Sequence, residues 1–242
     1  MPSSNTPLPR RPVELAFLPN ADWLEFDFPQ ERICIVTDDG TPTTTALVYR
    51  LVEQGWPVVV MTLFQGASSA EPMPAGVRRV VLERADDAYL EEMLGEIAAQ
   101  EGIPAAFIHL HPPTTTTSEH PLSDKDSVLV KQVFFLAKHL KPYLTQPADH
   151  NLFLTVMRLD GQFGLGEPRG KFEPFSPVSA GLFGLTKSLR AEWHSVFCRA
   201  VDASAELSLT QSVDCILAEL HDPDRTIAEV AYSAHGRHTL RA

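Results

Sequence analysis

Short apolar runs alternate with longer amphipathic stretches along most of the chain. Ile33-Cys34-Ile35-Val36 and Val58-Val59-Val60-Met61 are apolar at every position, which is typical of strands buried on both faces. The pattern predicts strands over residues 33–36, 58–62, 77–82, 105–110, 152–157, 196–201 and 227–232, and a closing segment at 237–241. Apolar residues at helical spacing predict helices over residues 46–54, 88–100, 127–144, 177–193 and 210–220.

Strands that alternate with helices in this way indicate a parallel sheet covered on both faces. The sequence therefore predicts a single Rossmann-like, doubly wound α/β domain over residues 13–242. Residues 1–12 contain four prolines and predict a flexible linker, whereas residues 13–28 predict short edge strands or an extended arm. The long loops 64–75, 112–125 and 160–174 each follow a predicted strand, so we expect them at the carboxyl edge of the sheet, where ligands bind.

Composition and charge exclude several classes of function. Apolar residues make up 44% and charged residues 21% of the chain, as in ordinary globular proteins, and no apolar run is long enough to span a membrane. A net charge of −11 argues against binding to nucleic acid or to an anionic membrane. The first residues do not resemble a secretion signal, so we expect a cytoplasmic protein whose three cysteines are free thiols in apolar surroundings.

The turn after the first buried strand is the first candidate for a nucleotide site. Dinucleotide-binding proteins place several glycines here, so that the backbone can approach a pyrophosphate. This turn has one glycine, Gly40, preceded by Asp38 and Asp39, whose charges would repel a diphosphate. The hydroxyls of Thr37 and Thr41 are the remaining candidate donors, although threonines at this position also cap helices.

Two further features have both a functional and a structural interpretation. Asp86 follows the third strand, where it either faces a nucleotide or caps the next helix. His109 and His111 end the fourth strand and could form a pair of metal ligands. No cysteine or third histidine stands at matching spacing, so we favour a structural role for both and expect no metal site.

Residues 175–193 resemble the helix of short-chain dehydrogenases that carries a Tyr-x-x-x-Lys pair, or Tyr-x-x-x-Asn in the ketoreductases of polyketide synthases. Together with four other motifs, this helix resembles the ketoreductase region of type I polyketide and polyunsaturated-fatty-acid-type synthases over about residues 13–242. The four are Ile35-Val36-Thr37-Asp38-Asp39-Gly40, Ile108-His109-Leu110-His111-Pro112, Phe135-Leu136-Ala137-Lys138-His139-Leu140 and Leu159-Asp160-Gly161, and the helix itself contributes Gly184-Leu185-Thr186-Lys187.

The resemblance implies where catalytic residues would stand. Lys131 falls on the lysine position of that family, and the serine position falls near Arg158. Phe175 and Ser179 fall on the tyrosine and asparagine positions. Phenylalanine has no proton to donate to a reduced ketone, so the resemblance predicts a scaffold without an intact set of catalytic residues. The family has a similar Val-His at this strand end, which favours the structural role of His109, although His109 is also a candidate for cofactor binding.

The match is closest to the non-catalytic, structural half of that region. We therefore predict a catalytically silent subdomain that braces a catalytic ketoreductase half and binds no cofactor. The alternative is an active NADPH-dependent ketoreductase, and a more distant one is a nucleotide sensor. The predicted helices 127–144 and 177–193 have more apolar residues than the single stripe that a helix needs to pack on a sheet. The additional apolar residues include Phe134, Phe135 and Phe183. These helices are predicted to contact the catalytic half or a second copy.

Overall fold

The computed structural model of this chain describes residues 12–29, 31–113, 124–147, 150–166 and 177–241, except for the side chain of Ser179. Its strands are β1 (Glu14–Leu18), β2 (Arg32–Thr37), β3 (Val58–Thr62), β4 (Arg78–Val81), β5 (Ile103–Leu110), β6 (Leu152–Met157), β7 (Phe197–Ala203), β8 (Glu229–Ser233) and β9 (Gly236–Arg241). Its helices are α1 (Pro42–Glu53), α2 (Asp87–Gln100), α3 (Asp124–Leu144), α4 (Pro177–Glu192) and α5 (Leu209–His221).

All nine strands form one sheet in the order β1-β9-β8-β7-β6-β5-β2-β3-β4. Strands β2 to β8 pair in parallel, whereas β9 is antiparallel to β8 and β1 is antiparallel to β9. The predicted doubly wound, Rossmann-like class is confirmed. None of the described helices is long and apolar enough to cross a membrane.

The sheet separates two apolar cores, because successive side chains of each strand point to opposite faces. Ile33 and Ile35 of β2 join the core under α2, α3 and α4. Cys34 and Val36 join the core under α1 and α5. Helices thus cover both faces of the sheet, and loops connect the elements at the two ends of the parallel strands. The candidate site lies at the carboxyl end.

The N-terminal part of the described chain combines the two structures predicted for residues 13–28. Strand β1 lies at the edge of the sheet, and residues 19–29 continue without regular structure. Phe26 and Phe28 of this arm pack against Trp56, with ring centroids 5.7 and 4.4 Å away. The predicted linker, residues 1–12, lies almost entirely outside the described residues.

A buried group of charges connects the last strand to the rest of the domain, and we call it the edge cluster: Arg199 of β7, Arg237 of β9, Glu219 of α5 and Asp222. Arg199 donates to Glu219 and, over 3.2 Å, to Asp222. Arg237 Nε donates to Glu219 over 2.7 Å, and its Nη2 also donates to Asp222. No side chain of the cluster is more than 4% exposed, so the two positive and two negative charges compensate each other inside the core.

The prediction that α3 and α4 expose additional apolar residues is only partly correct. Phe183 of α4 is 7% exposed, because its ring packs edge-to-face on Phe163 with centroids 5.6 Å apart. The prediction that Phe183 widens the outer face of α4 is therefore wrong. On α3, Phe135 is half-buried, and Phe134 is 53% exposed.

The cysteines have no catalytic features. Cys34 and Cys198 are buried and Cys215 is half-buried, and all three are free thiols. Burial raises the pKa of Cys198 and Cys215 to about 12. Each therefore remains a neutral thiol at neutral pH.

Candidate functional site

The candidate site is the crevice at the carboxyl ends of β2 and β5. The chain runs outward from β2 to β3 on one side and from β5 to β6 on the other, so the strand order reverses between these two strands. Ligands of doubly wound sheets bind at such a point. The structure brings Thr37, Gly40, Thr41 and His109 to this edge, as expected from their positions at or just after the end of β2 and near the end of β5.

The carboxylate of Asp39 occupies the N-terminal end of α1. It accepts hydrogen bonds from Thr41 N at 2.9 Å, from Thr41 Oγ1 at 2.8 Å and from Thr44 Oγ1 at 2.7 Å. Thr41 also caps the helix by accepting a hydrogen bond from Thr43 N. Free N–H groups at a helix N-terminus attract anions, and here the anion belongs to the chain itself.

Arg158 reaches across the crevice to this turn. Its Nη2 lies 2.8 Å from Asp39 Oδ2 and also donates to Thr43 Oγ1 over 2.6 Å and to Thr41 Oγ1 over 3.2 Å. Arg158 follows β6, so its side chain passes over the end of β5 to reach the start of α1. The position expected from the resemblance to hold a catalytic serine thus holds a guanidinium paired with a buried carboxylate.

Asp38, like Asp39, accepts hydrogen bonds from the protein and lies near an arginine. Its Oδ1 accepts from Gly40 N at 2.9 Å, its Oδ2 accepts from Ser69 N at 3.0 Å, and Arg79 Nη2 lies 3.7 Å away. We call Asp38, Asp39, Arg79 and Arg158 the turn cluster. The sequence indicated the two carboxylates, but it gave no sign that Arg79 of β4 and Arg158 after β6 compensate them.

The loop after β3 also covers the turn. Gly40 has φ +75°, and a Cβ added to it would lie 2.2 Å from Cβ of Ala67. Glycine is therefore required at position 40 both for its backbone conformation and for this contact. In a dinucleotide-binding turn, a glycine leaves room for the pyrophosphate, whereas here the room is taken by residues of the loop.

A chain of buried polar groups lies beneath the crevice. Thr37 Oγ1 is 2.8 Å from His109 Nδ1, and His109 Nε2 is 3.2 Å from His111 Nδ1. Burial lowers the pKa of His109 well below its ordinary value and lowers that of His111 to about 4, with Asp126 acting in the opposite direction on His111. Both imidazoles are therefore neutral at pH 7. No group of three or more His, Cys, Asp or Glu side chains in the described ranges is arranged to hold a metal ion.

Asp202, at the end of β7, is a residue that the sequence did not single out for the site. Its carboxylate accepts from Leu159 N and from Phe163 N, each at 2.8 Å, and so fixes the loop that begins directly after Arg158. Burial raises the pKa of Asp202 to about 7, and the backbone donors oppose that rise. Gly161 of the same loop has φ +68°, and an added Cβ would lie 2.2 Å from the carbonyl oxygen of Tyr232.

The other predicted positions lie apart from these contacts. Lys131 is exposed on α3, and the neighbouring Gln132 is the residue that turns inward, where its amide bonds both backbone groups of Phe64 at 2.8 and 3.0 Å. Asp86 caps α2 by accepting from Tyr89 N at 3.1 Å, as its structural interpretation predicts. Phe175 and the side chain of Ser179 lie outside the described residues.

In the described part of the crevice, the ionisable side chains are therefore bonded to one another. Asp38 and Asp39 are paired with arginines, and His109 is bonded to His111. A general acid for ketone reduction must be able to reach a substrate oxygen and release a proton to it. The buried neutral imidazoles and the paired carboxylates named above do not combine these two properties.

Comparison with known proteins supports the fold and the resemblance. None of the protein-family models matches the chain. The chain is 29% identical over 227 residues to one of the subunits of the polyunsaturated fatty acid synthase of Thraustochytrium sp., and the alignment covers 91% of this chain and 8% of the relative. It thus spans only a small part of that relative's length.

Solved structures of short-chain dehydrogenases superpose on most of the chain. A short-chain dehydrogenase from Leptospira borgpetersenii with bound NAD+ gives a TM-score of 0.64 at 12% identity, covering 88% of this chain and 94% of its own. A short-chain dehydrogenase/reductase from Serratia marcescens gives 0.57 at 17% identity, covering 81% and 91%. The Pseudomonas aeruginosa short-chain oxidoreductase described as containing an atypical catalytic center gives 0.53 at 16% identity, covering 72% and 70%.

At such identities the structural likeness is one of fold. The predicted resemblance to a synthase region is confirmed by the sequence relative, and the predicted fold by the solved structures. The chain therefore has the fold of short-chain dehydrogenases and is similar in sequence to a segment of a polyunsaturated fatty acid synthase.

Proposed function

We propose that this chain is a catalytically silent ketoreductase-type subdomain of a fatty-acid- or polyketide-type synthase, and that it braces a catalytic ketoreductase half. The observation that carries the proposal is the pairing of Asp39 with Arg158 at the N-terminus of α1. This pair occupies the position at which a dinucleotide-binding fold holds the pyrophosphate of its cofactor.

Binding of NADPH at this turn would have a large electrostatic cost. A pyrophosphate at the helix N-terminus would have to displace Asp39 from Thr41, Thr44 and Arg158, or lie beside it. Two like charges about 4 Å apart repel by roughly 4 kcal/mol at an effective dielectric constant near 20. The Ala67 contact at Gly40 adds a steric obstacle. We therefore propose that the domain binds no nicotinamide cofactor.

The residues at the catalytic positions support the same proposal. Arg158 is engaged with the turn, and Lys131 is exposed on α3. Phe175 contributes no hydroxyl, by its residue type alone. An enzyme that lacks its proton donor normally loses the reaction, because the residues of a catalytic set act as a unit.

The test is a titration with NADPH together with an assay of ketone reduction. We expect no binding at micromolar NADPH and no oxidation of NADPH above background with trans-1-decalone as substrate. Turnover that is lost in Lys131→Ala would instead establish the alternative, an active NADPH-dependent reductase. Micromolar binding of NADPH without turnover would favour the nucleotide sensor.

The bracing role requires a contact surface, and we propose the outer faces of α3 and α4. On α3, Phe134 is 53% exposed although phenylalanine is usually buried in a soluble domain. On α4, the exposed residues Gly181, Gly184 and Ser188 are small, so a partner helix could approach closely. The partner proposed for this surface is the catalytic ketoreductase half, or a second copy when the domain is expressed alone.

A charge introduced on this surface tests the contact. Phe134→Glu should shift the light-scattering mass towards the monomer, or weaken co-purification with the adjoining synthase segment. Leu209→Glu is the matched control, because Leu209 is 44% exposed on α5, on the opposite face of the sheet. An oligomer that is equally stable in both variants would contradict this surface.

A further inference from the structure

A cleft of about 330 Å³ opens at the amino edge of the sheet, on the side opposite the crevice. Arg190 and His194, at the end of α4 and just after it, line one side, and Arg225, from the loop before β8, lines the other. Ala191 and residues 196–198 form the rest of the lining. The cleft thus lies between segments that are far apart in the chain.

The lining of this cleft is cationic. Two guanidinium groups and one imidazole face it, and none of its lining residues is acidic. The whole chain has a net charge of −11, so such a site runs against the overall charge of the protein. A concave site with charges of one sign and apolar walls concentrates ions of the opposite sign.

Arg190 is fixed by the fold, whereas the side chains of Arg225 and His194 are available to a ligand. Arg190 Nη2 donates to the carbonyl oxygens of Arg225 and Thr226 at 2.6 and 3.0 Å. These two bonds hold the guanidinium in place. The side chains of Arg225 and His194 form no hydrogen bond or ion pair with any residue in the described ranges.

Cys198 lies in the lining but adds no negative charge. Burial raises its pKa to about 12, although the guanidinium groups of Arg190 and Arg225 both act to lower it. The thiol therefore stays neutral at pH 7 and does not neutralise the two arginines beside it. Their positive charge remains for a ligand.

A structural role explains only part of this arrangement. Cations at the last turn of a helix are favourable, because that end carries partial negative charge. Arg190 meets this need and also satisfies two loop carbonyls. Arg225 belongs to a different segment, and in the described ranges its side chain forms no hydrogen bond or ion pair that would give it a structural role.

We propose that this cleft binds the phosphate group of a small phosphorylated molecule, held by Arg190, Arg225 and His194. Guanidinium groups bind phosphate oxygens with charge-assisted hydrogen bonds. A volume of about 330 Å³ matches the smallest ligand cavities and suits a phosphate monoester with a short organic group. The site is independent of the crevice, so it does not depend on whether the domain binds NADPH.

The experiment is a calorimetric titration of the full chain with phenyl phosphate and with inorganic phosphate at low salt. Both should bind, and more weakly at high salt, because the attraction is electrostatic. Arg225→Gln should lower the affinity about tenfold, the factor expected for loss of one charge-assisted hydrogen bond. Arg241→Gln is the matched control, since it removes one exposed positive charge from the end of β9 and should leave the affinity unchanged.

Three outcomes would overturn the proposal. The first is no binding of either phosphate, or an equal loss of affinity in Arg225→Gln and Arg241→Gln. The second is binding that Arg158→Gln abolishes and Arg225→Gln does not, which would place the phosphate at α1 and would also count against the proposed cofactor-free crevice. The third is binding of an oligoglutamate peptide but not of phenyl phosphate, which would assign the cleft to an acidic protein partner.

Discussion

The turn cluster and the edge cluster contain the same groups, two carboxylates and two guanidiniums, in very different surroundings. In the edge cluster every side chain is at most 4% exposed, and three of the four residues lie on a strand or a helix. In the turn cluster the carboxylates are buried, but the arginine side chains are 16% and 32% exposed. The edge cluster therefore joins regular elements, whereas the turn cluster fills a place where other members of the fold bind a ligand.

The two clusters therefore differ in how much it costs to remove one partner of an ion pair. In the edge cluster, a charge left alone has no access to water, and the cost is high. In the turn cluster, Asp39 would still keep a backbone N–H and two hydroxyl donors. Similar ion pairs are thus structural in one region and replaceable in the other.

The largest expected effect is therefore at the edge cluster. Arg199→Met should lower the free energy of unfolding by roughly 3–5 kcal/mol, because Glu219 and Asp222 would share one guanidinium inside the core. Arg158→Met, the matched change in the turn cluster, should cost only about 1–2 kcal/mol. Urea unfolding followed by circular dichroism measures both values, and equal losses would remove the distinction between the clusters.

The second effect is a dependence of stability on pH that arises beneath the crevice. The folded pKa of His111 is about 4, below the ordinary value of 6.5, so the unfolded chain binds more protons between these values. The contribution of His111 to stability is complete above pH 6.5 and decreases by about 1.4 kcal/mol per pH unit as the pH falls towards 4. His111→Gln should remove this component, and His235→Gln, at an exposed position, should not.

The difference between variant and wild type must be measured here, because Asp202 contributes with the opposite sign. Its folded pKa of about 7 lies above the ordinary 3.8, so its contribution is present at low pH and is lost as the pH rises through 7. The curve of unfolding free energy against pH for the wild type contains the contributions of both His111 and Asp202. If the free energy of unfolding of His111→Gln depended on pH as that of the wild type does, the proposal that His111 is neutral and buried in the folded protein would be contradicted.

The smallest effect would show that the turn cluster occupies a ligand site. Asp39→Ala leaves Arg158, Thr41 and Thr43 as donors at the start of α1, so the affinity for pyrophosphate should rise about tenfold. Asp214→Ala is the control for net charge, because Asp214 is exposed on α5. Both variants belong in an Arg225→Gln background, so that the cationic cleft does not contribute. Equal affinities of the two variants for pyrophosphate would mean that Asp39 does not block an anion site at the start of α1.

Most of the fold could be predicted from the sequence, because apolar runs mark buried strands. The bounds of β3 and β6 are those predicted, at residues 58–62 and 152–157. Helix α1 was predicted to start at residue 46 and starts at Pro42, because the buried threonines 43–45 do not form an apolar stripe. Phe183 was predicted to face outward, and it is buried because Phe163, from a loop, covers it.

The site was less predictable, because its contacts join residues far apart in the chain. The resemblance placed the family's serine position near Arg158, and the sequence showed Asp38 and Asp39 in the turn. The pairing of Arg158 with Asp39 depends on the order of β2, β5 and β6 in the sheet. The reach of a long side chain over a neighbouring strand has no signature in a local pattern, and the same holds for Asp202 and its loop.

The pairing of β1 with β9 has a mechanical consequence. Glu14 lies opposite Arg241 and Leu18 lies opposite Arg237, so a pull on the chain before β1 and after β9 would load one pair of residues at a time. The strands would separate as a zipper does, from Glu14 inward, at low force. The opening would meet resistance at Arg237, whose guanidinium is held by Glu219 and Asp222 and also donates to the carbonyl oxygen of Pro19 over 3.3 Å. Tension along the polypeptide would then detach the outermost strand while the seven parallel strands, β2 to β8, stay folded.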